Sequence, residues 1–386
     1  MKKTLIFVML LSILLPVFPA ISEEARILTI IGAADIPGGD GGRLEKAKEI
    51  FEAENPGYTV IFKETPKPDA MMKATMANRE GYDILVLDST NMLEYKKADV
   101  LCDLSANESI TENFSQYLDM PFLWEKDGSL YGVPMHATPL SFVITQSAKQ
   151  TFDIDIPAEW TWEDIFALSD FAVEEELLLI NGMMEWEALR RQYTCKYGAD
   201  YTTDTFRNLV EGWKALSDAK LVSIGNDERT LFGLQSHFWC GDFGFLKASV
   251  FLNFPLLDGE HVTPIDMTGL YVNKYSENAD AAVRFLEIYS SKEVQKEYRD
   301  GRNGLFLPDF TEYAYYDLWS RFNNYLPEKE EFEKYKSALA TGYLIQIDQE
   351  FEWVERQLFR QFEKGELTTD EFIAELQERA DLMLGE

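Results

Sequence analysis

Residues 127–165, DGSLYGVPMHATPLSFVITQSAKQTFDIDIPAEWTWEDI, constrain this chain more than any other segment. Asp127-Gly128 is a turn dipeptide, and the apolar run Leu130 to Val133 meets Pro134, which has no N–H to give a central ladder. The sequence therefore predicts a strand ending at Pro134. A second strand is expected after Pro139, where Leu140, Phe142, Val143 and Ile144 form a buried-type run too short for a helix. A second domain would start there. Further on, Thr161-Trp162-Glu163-Asp164 fits a capping box, with Trp160 and Ile165 in the flanking staple positions.

Upstream, residues 26–31 read as a β-rich run, followed by a glycine loop at 32–42. A helix follows, with Leu44, Ala47, Ile50 and Phe51 setting its faces, and it stops at Asn55-Pro56-Gly57. Residues 59–63 restart as a strand. This βαβ order implies a right-handed parallel crossover. The glycine loop has no GxGxxG spacing and no following Lys-Ser/Thr pair, so it does not read as a phosphate cradle. A helix over about 69–79 precedes the buried strand Ile84 to Leu87. Asp88, Ser89 and Thr90 then supply cap-type side chains for the helix holding Met92, Leu93 and Tyr95.

Downstream, helical patterns cover 186–193 and 206–216, the second with Phe206, Leu209, Val210, Trp213 and Leu216 on one face. These aromatics read as core. Strands are expected at 250–254 and 267–273. Asn278 is placed to cap a helix over 279–289, and Ser290 to cap the next one with Glu293 as its box partner. Gly365 stops a long helical stretch, and Thr368-Thr369-Asp370-Glu371 opens the last helix.

A chain of 386 residues, 46% hydrophobic and 13% aromatic, exceeds one ordinary core and predicts two packed domains. Met1-Lys2-Lys3, the apolar run from Leu5 to Leu15 and the small-residue site Ala20-Ile21-Ser22 read as a secretory signal peptide over 1–22. The alternative, a membrane anchor, would need about 20 apolar residues. No cysteine lies near the cut, so the lipoprotein signal is absent. Cys102, Cys195 and Cys240 allow at most one internal disulfide, and the sequence does not choose the pair. The net charge of −31 repels nucleic acid and anionic lipid headgroups. Much of it, such as Glu328, Glu330 and Glu331, lies in helical-looking runs and reads as a solvated face.

Catalytic signals are missing. There is no G-x-S-x-G elbow and no HExxH, and His136, His237 and His261 share no metal spacing. No catalytic residue, metal ligand or cofactor is nominated. Among 67 acids, some pair at glycosidase separation is expected whatever the function.

The order of turn, Tyr131-Gly132-Val133-Pro134, crossing strand, and Pro157 with Trp160 before a helix resembles the middle of the extracellular solute-binding proteins of ABC importers, family 1, of maltose or sugar-binding type. Residues 281–286 followed by 291–295 are similar to that family's most recognisable helix pair. The segment His237 to Gly244 resembles its Gly-Ser-Trp segment, except that Asp242 stands where Ser is usual and Phe243 where Trp is usual.

The resemblance implies a two-lobed α/β periplasmic-binding-protein fold of type II. Its lobes would comprise 23–137 plus 265–308 and 138–264 plus 309–386, with crossings near 137–139, 262–265 and 307–310. It also implies a monomeric, periplasmic or secreted protein that delivers a small solute, a carbohydrate, to membrane permease subunits. Sugars are held by planar hydrogen bonds and by rings stacked on their apolar faces. Candidate ligand residues are Asp35 and Asp40 on the first loop, Asp88 and Thr90 after the strand, and His136 and Thr138 at the crossing. Trp239, Asp242, Phe243 and Thr268 would face them. Polyamines or other cations remain alternative ligands. A secreted glycoside hydrolase and an interaction or sensor protein without transport remain alternative functions.

Overall fold

A computed structural model of the chain describes residues 26–33, 42–65, 82–154, 156–157, 159–223, 229–236, 249–297, 307, 329–346 and 348–384. Its strands are β1 (Arg26–Ile31), β2 (Tyr58–Lys63), β3 (Ile84–Asp88), β4 (Gly132–Thr145), β5 (Ile180–Asn181), β6 (Val222–Ser223), β7 (Phe232–Ser236), β8 (Ser249–Leu252), β9 (Thr263–Val272) and β10 (Gly342–Leu344). Among the described residues, eight of these form one sheet in the order β2-β1-β3-β9-β4-β7, with β10 on β9 and β8 on β4. β5 and β6 pair separately.

The predicted βαβ unit is present. β1 and β2 pair in parallel from Arg26↔Tyr58 to Ile31↔Lys63. Between them helix Arg43–Glu54 buries Leu44, Ala47 and Phe51, one apolar stripe laid on the sheet. β3 joins β1 in parallel and β9 in antiparallel. Asp83, just before β3, is buried and accepts from the Thr29 N–H at 2.6 Å and from the Asn278 amide at 3.2 Å, which ties the start of β3 to its neighbours.

Among the described residues the buried side chains form two separate hydrophobic cores. The first gathers Leu28, Ile30, Ile84, Leu85, Phe285 and Leu286 with the early part of β4. The second is aromatic, with Trp162, Trp186, Trp213 and Phe359 at its centre. Trp186 stacks on Phe359 with centroids 4.2 Å apart, and Phe142 meets Trp160 edge-on at 5.6 Å. Phe206, Leu209, Val210, Trp213 and Leu216 are all buried here, as the helical stripe predicts. Beneath them lies an ion pair, Arg190 with Glu355, both 1% exposed.

Among the described residues, three segments pass between the cores. β4 places Val133, Met135 and Ala137 in the first and Leu140, Phe142 and Ile144 in the second, with only Val143 of its later part packing into the first. Val262 belongs to the second core and Ile265 to the first. The last passage runs through β10, from Leu339 in the first core to Ile345 in the second. β10 lies parallel to the start of β9, so the crossings sit side by side.

Three expectations are corrected. β4 does not stop at Pro134 or resume after Pro139. It runs through both prolines, because Pro134 borders a register shift and Pro139 is the last residue paired to β9 before the ladder passes to β7. A missing N–H costs least at such places. A passage from the first core to the second lies between Leu339 and Ile345, where none was expected. Helix Lys329–Ala340 puts Phe332, Tyr335 and Leu339 into the first core, although 309–386 was expected to belong with the second. Of 307–310 only Leu307 is among the described residues, and it too is in the first core. Finally, the helix Lys292–Gln295 is capped by Ser291, not Ser290, with the Ser291 hydroxyl accepting from the Val294 N–H at 3.4 Å. Cys102 and Cys195 are free thiols, and Cys240 lies outside the described residues.

Candidate functional site

The strand register brings three of the nominated residues into one row. Asp88 at the end of β3 stands opposite Thr268 of β9, and Thr268 stands opposite His136 of β4. In the next row Thr138 is paired with Asp266, and its hydroxyl donates to the Asp266 carbonyl at 3.4 Å. Alternation puts Thr268 and Asp266 on the same face of β9. The row thus lies where β4 and β9 pass from one core to the other.

Each side chain has a local reason to be there. Asp88 is the N-cap of helix Ser89–Lys97, accepting from the Asn91 N–H at 2.7 Å and from the Asn91 amide at 2.9 Å. A helix start at a strand end is where open α/β sheets place ligands. Thr90, in the first turn of that helix, is half-buried. His136 is half-buried, and burial, with the nearby Arg43 guanidinium adding to it, pushes its imidazole down to about 4. It is a neutral hydrogen-bonding ring at ordinary pH. Asp35, Asp40, Trp239, Asp242 and Phe243 lie outside the described residues.

Asp266 was not nominated. It is exposed to water, yet protein surrounds its carboxyl on most sides, as for a group on a cleft wall. That desolvation raises its pKa, Arg191 lowers it, and Asp88 raises it again. Its signal was in the sequence: it is the single charge in TPIDMTGLYV, two residues from Thr268. Arg191 also lies 3.1 Å from Glu352, so it links the row to helix Gln349–Glu363.

A cavity of ≈ 680 Å³ lies elsewhere between the halves, lined by Phe122, Trp124, Cys195, His261, Tyr343 and Gln346 among others. None of Asp88, Thr90, His136, Thr138 or Thr268 lines it. Among the described residues no cluster of three or more His, Cys, Asp or Glu is arranged to hold a metal ion.

No family profile and no curated protein matches the chain. Solved structures do. A sugar transporter from Rhizobium etli in an open conformation superposes with a TM-score of 0.70 at 14% identity, covering 92% of this chain and 99% of that one. The sugar-binding protein MalE from Xanthomonas citri gives 0.70 at 16% identity, with 93% and 97% covered. A cyclic α-maltosyl-1,6-maltose binding protein from Arthrobacter globiformis gives 0.69 at 14% identity, with 93% and 98% covered. The chain has their two-lobed α/β binding-protein fold over nearly its whole length.

Proposed function

We propose that this chain is an extracytoplasmic solute-binding protein that holds a carbohydrate between its two halves and delivers it to an ABC importer. The observation that carries the reading is the row Asp88, Thr268, His136 at the place where strands pass between two separate cores. Two cores joined by three adjacent segments suit a hinge, and closing it would enclose that row. Carboxylates, threonine hydroxyls and a neutral imidazole offer the donors and acceptors that sugar hydroxyls require. Structural neighbours described as a cyclic α-maltosyl-1,6-maltose binding protein and a sugar-binding protein support the ligand class.

In this reading one lobe comprises the residues up to 137 together with 265–340, and the other 138–264 together with 345–386. The protein acts as a monomer outside the cytoplasm, after removal of residues 1–22, and binds without turnover. Among the described residues no helix is long and apolar enough to cross a membrane.

A panel of malto-, xylo- and chito-oligosaccharides, polyols and polyamines, read by thermal shift, tests it. A ligand that binds only the native state raises the melting temperature. Stabilisation by a saccharide, with no product after prolonged incubation, is the expected result. Stabilisation by polyamines alone would move the ligand class, and released product would make the protein a hydrolase.

A further inference from the structure

The β4 ladder is irregular at one residue. Pro134 pairs with Gly269 and His136 pairs with Thr268, so Met135 is an extra residue with none opposite. Such a bulge takes its residue out of the ladder. It also changes which side chains share a face. Val133 pairs with Leu270, which lies two residues from Thr268 on one face of β9. Val133 and His136 are three apart, and they share that face only because Met135 is bulged. In a regular ladder Met135 would stand opposite Thr268, and His136 would turn to the other side.

The bulge carbonyl is held by Arg43. This arginine is fully buried at the start of helix Arg43–Glu54, directly after Gly42, whose φ is 87°. Its Nη2 donates to the Met135 carbonyl at 2.6 Å and its Nη1 to Gln295 Oε1 at 3.0 Å. Gln295 in turn donates to the Tyr289 carbonyl at 2.8 Å, and the guanidinium lies 5.9 Å from the Tyr289 ring. A planar fork is suited to spanning two fixed acceptors, which a lysine cannot do. Burying a guanidinium is costly unless its hydrogen bonds compensate.

We infer that Arg43 is a positioning residue: by holding the Met135 carbonyl it fixes the β4 register that presents His136, rather than Met135, beside Thr268 and Asp88. The effect on ligand rests on the proposed reading of that row; the effect on register does not. Arg43 also acts on His136 through its charge, which together with burial keeps the ring neutral.

Arg43→Gln and Arg43→Lys in the full chain test this, with folding checked by circular dichroism. Crystal structures of both variants read the register. Histidine-selective NMR, assigned against His136→Gln, reads the imidazole titration. Arg43→Gln is expected to lose the Met135 bulge, to move the His136 titration upward, and to weaken binding of maltotriose, or of the first saccharide that stabilises the wild type, about tenfold. Arg43→Lys keeps the charge and loses the fork, so its effects should be intermediate; it carries the test if Arg43→Gln does not fold. His136 still opposite Thr268 with an unchanged titration in every folded variant overturns the inference. A changed register and titration with unchanged affinity leaves the clamp standing and removes the row from the ligand site.

Discussion

Lys97 and Asp348 join the two halves of the molecule: Nζ lies 3.6 Å from Oδ2. Lys97 ends helix Ser89–Lys97, whose Met92 and Tyr95 lie in the first core. Asp348 begins helix Gln349–Glu363, which buries Phe351 and Phe359 in the second. The two carboxylate oxygens have different work. Oδ1 caps the helix, accepting from the Glu350 and Phe351 N–H groups at 3.1 Å, while Oδ2 meets the lysine.

That division separates two substitutions. Lys97→Met removes only a half-exposed ion pair and should cost about 0–1 kcal/mol, less at high salt. Asp348→Ala also removes the cap and should cost about 1 kcal/mol more. Asp348→Asn keeps a capping oxygen and should resemble Lys97→Met. Urea denaturation compares them. Equal losses for Lys97→Met and Asp348→Ala would contradict the assignment of Oδ1 to the cap.

His136 gives the fold a pH dependence of known sign. Its pKa is lowered from 6.5 to about 4, so between those values the unfolded chain binds a proton that the folded chain does not. Stability contributed by the neutral ring is complete above pH 6.5 and is lost as pH falls towards about 4. The half-buried ring should account for about 1–3 kcal/mol over that window. His136→Gln should flatten the slope there, measured as the difference in unfolding free energy between variant and wild type. Parallel profiles would mean that His136 titrates alike in both states.

Gly342 is fixed by what surrounds it. A Cβ at this position would lie 2.5 Å from Ile265 Cγ1 and 2.9 Å from Phe122 Cδ1. β10 could then not hold its pairing of Gly342 with Thr263 without shifting. Gly342→Ala should cost about 1–3 kcal/mol through overpacking. Because β10 is one of the three passages between cores, the substitution should also alter saccharide affinity per folded molecule. Lowered stability with unchanged affinity would show that β10 has no part in the proposed hinge closure.

Much of this was legible in the chain because local signals and tertiary demands agree. The β1-helix-β2 unit and β3 follow from apolar, β-branched runs between turn residues, and their observed bounds differ from the expected ones by about a residue. The capping box of Thr161 and Asp164 is present, as is that of Thr368 and Glu371. The misreadings have one cause in common. Proline inside a strand reads as a stop until the partner strands are known, and Pro134 and Pro139 sit where β4 shifts register or changes partner. Likewise, nothing local distinguishes the helix Lys329–Ala340 as belonging to the first core, since its apolar face would suit either. Asp88 and His136 lie 48 residues apart in sequence and Thr268 lies 132 beyond His136; antiparallel pairing through β9 sets them side by side, a relation that no local pattern encodes. Arg43 was invisible for the opposite reason, because a buried arginine looks like any other until its acceptors are placed.

Asp88 offers the sharpest test of ligand class. Its carboxylate caps helix Ser89–Lys97 and stands in the row with Thr268, so alanine would confound folding with binding. Asparagine is as good a cap as aspartate, and Asp88→Asn should leave stability within a few tenths of a kcal/mol. What changes is the charge. A neutral saccharide would exchange a charge-assisted hydrogen bond for an ordinary one, a loss of about 1 kcal/mol or roughly fivefold in affinity, and nearly the same at low and high salt. A cationic ligand would lose its counter-charge as well, with a larger loss at low salt that shrinks as salt is raised. Isothermal titration at two ionic strengths distinguishes the two. A salt-independent loss of a few-fold is the expected result, and an affinity untouched at both would mean that Asp88 serves only the helix it caps.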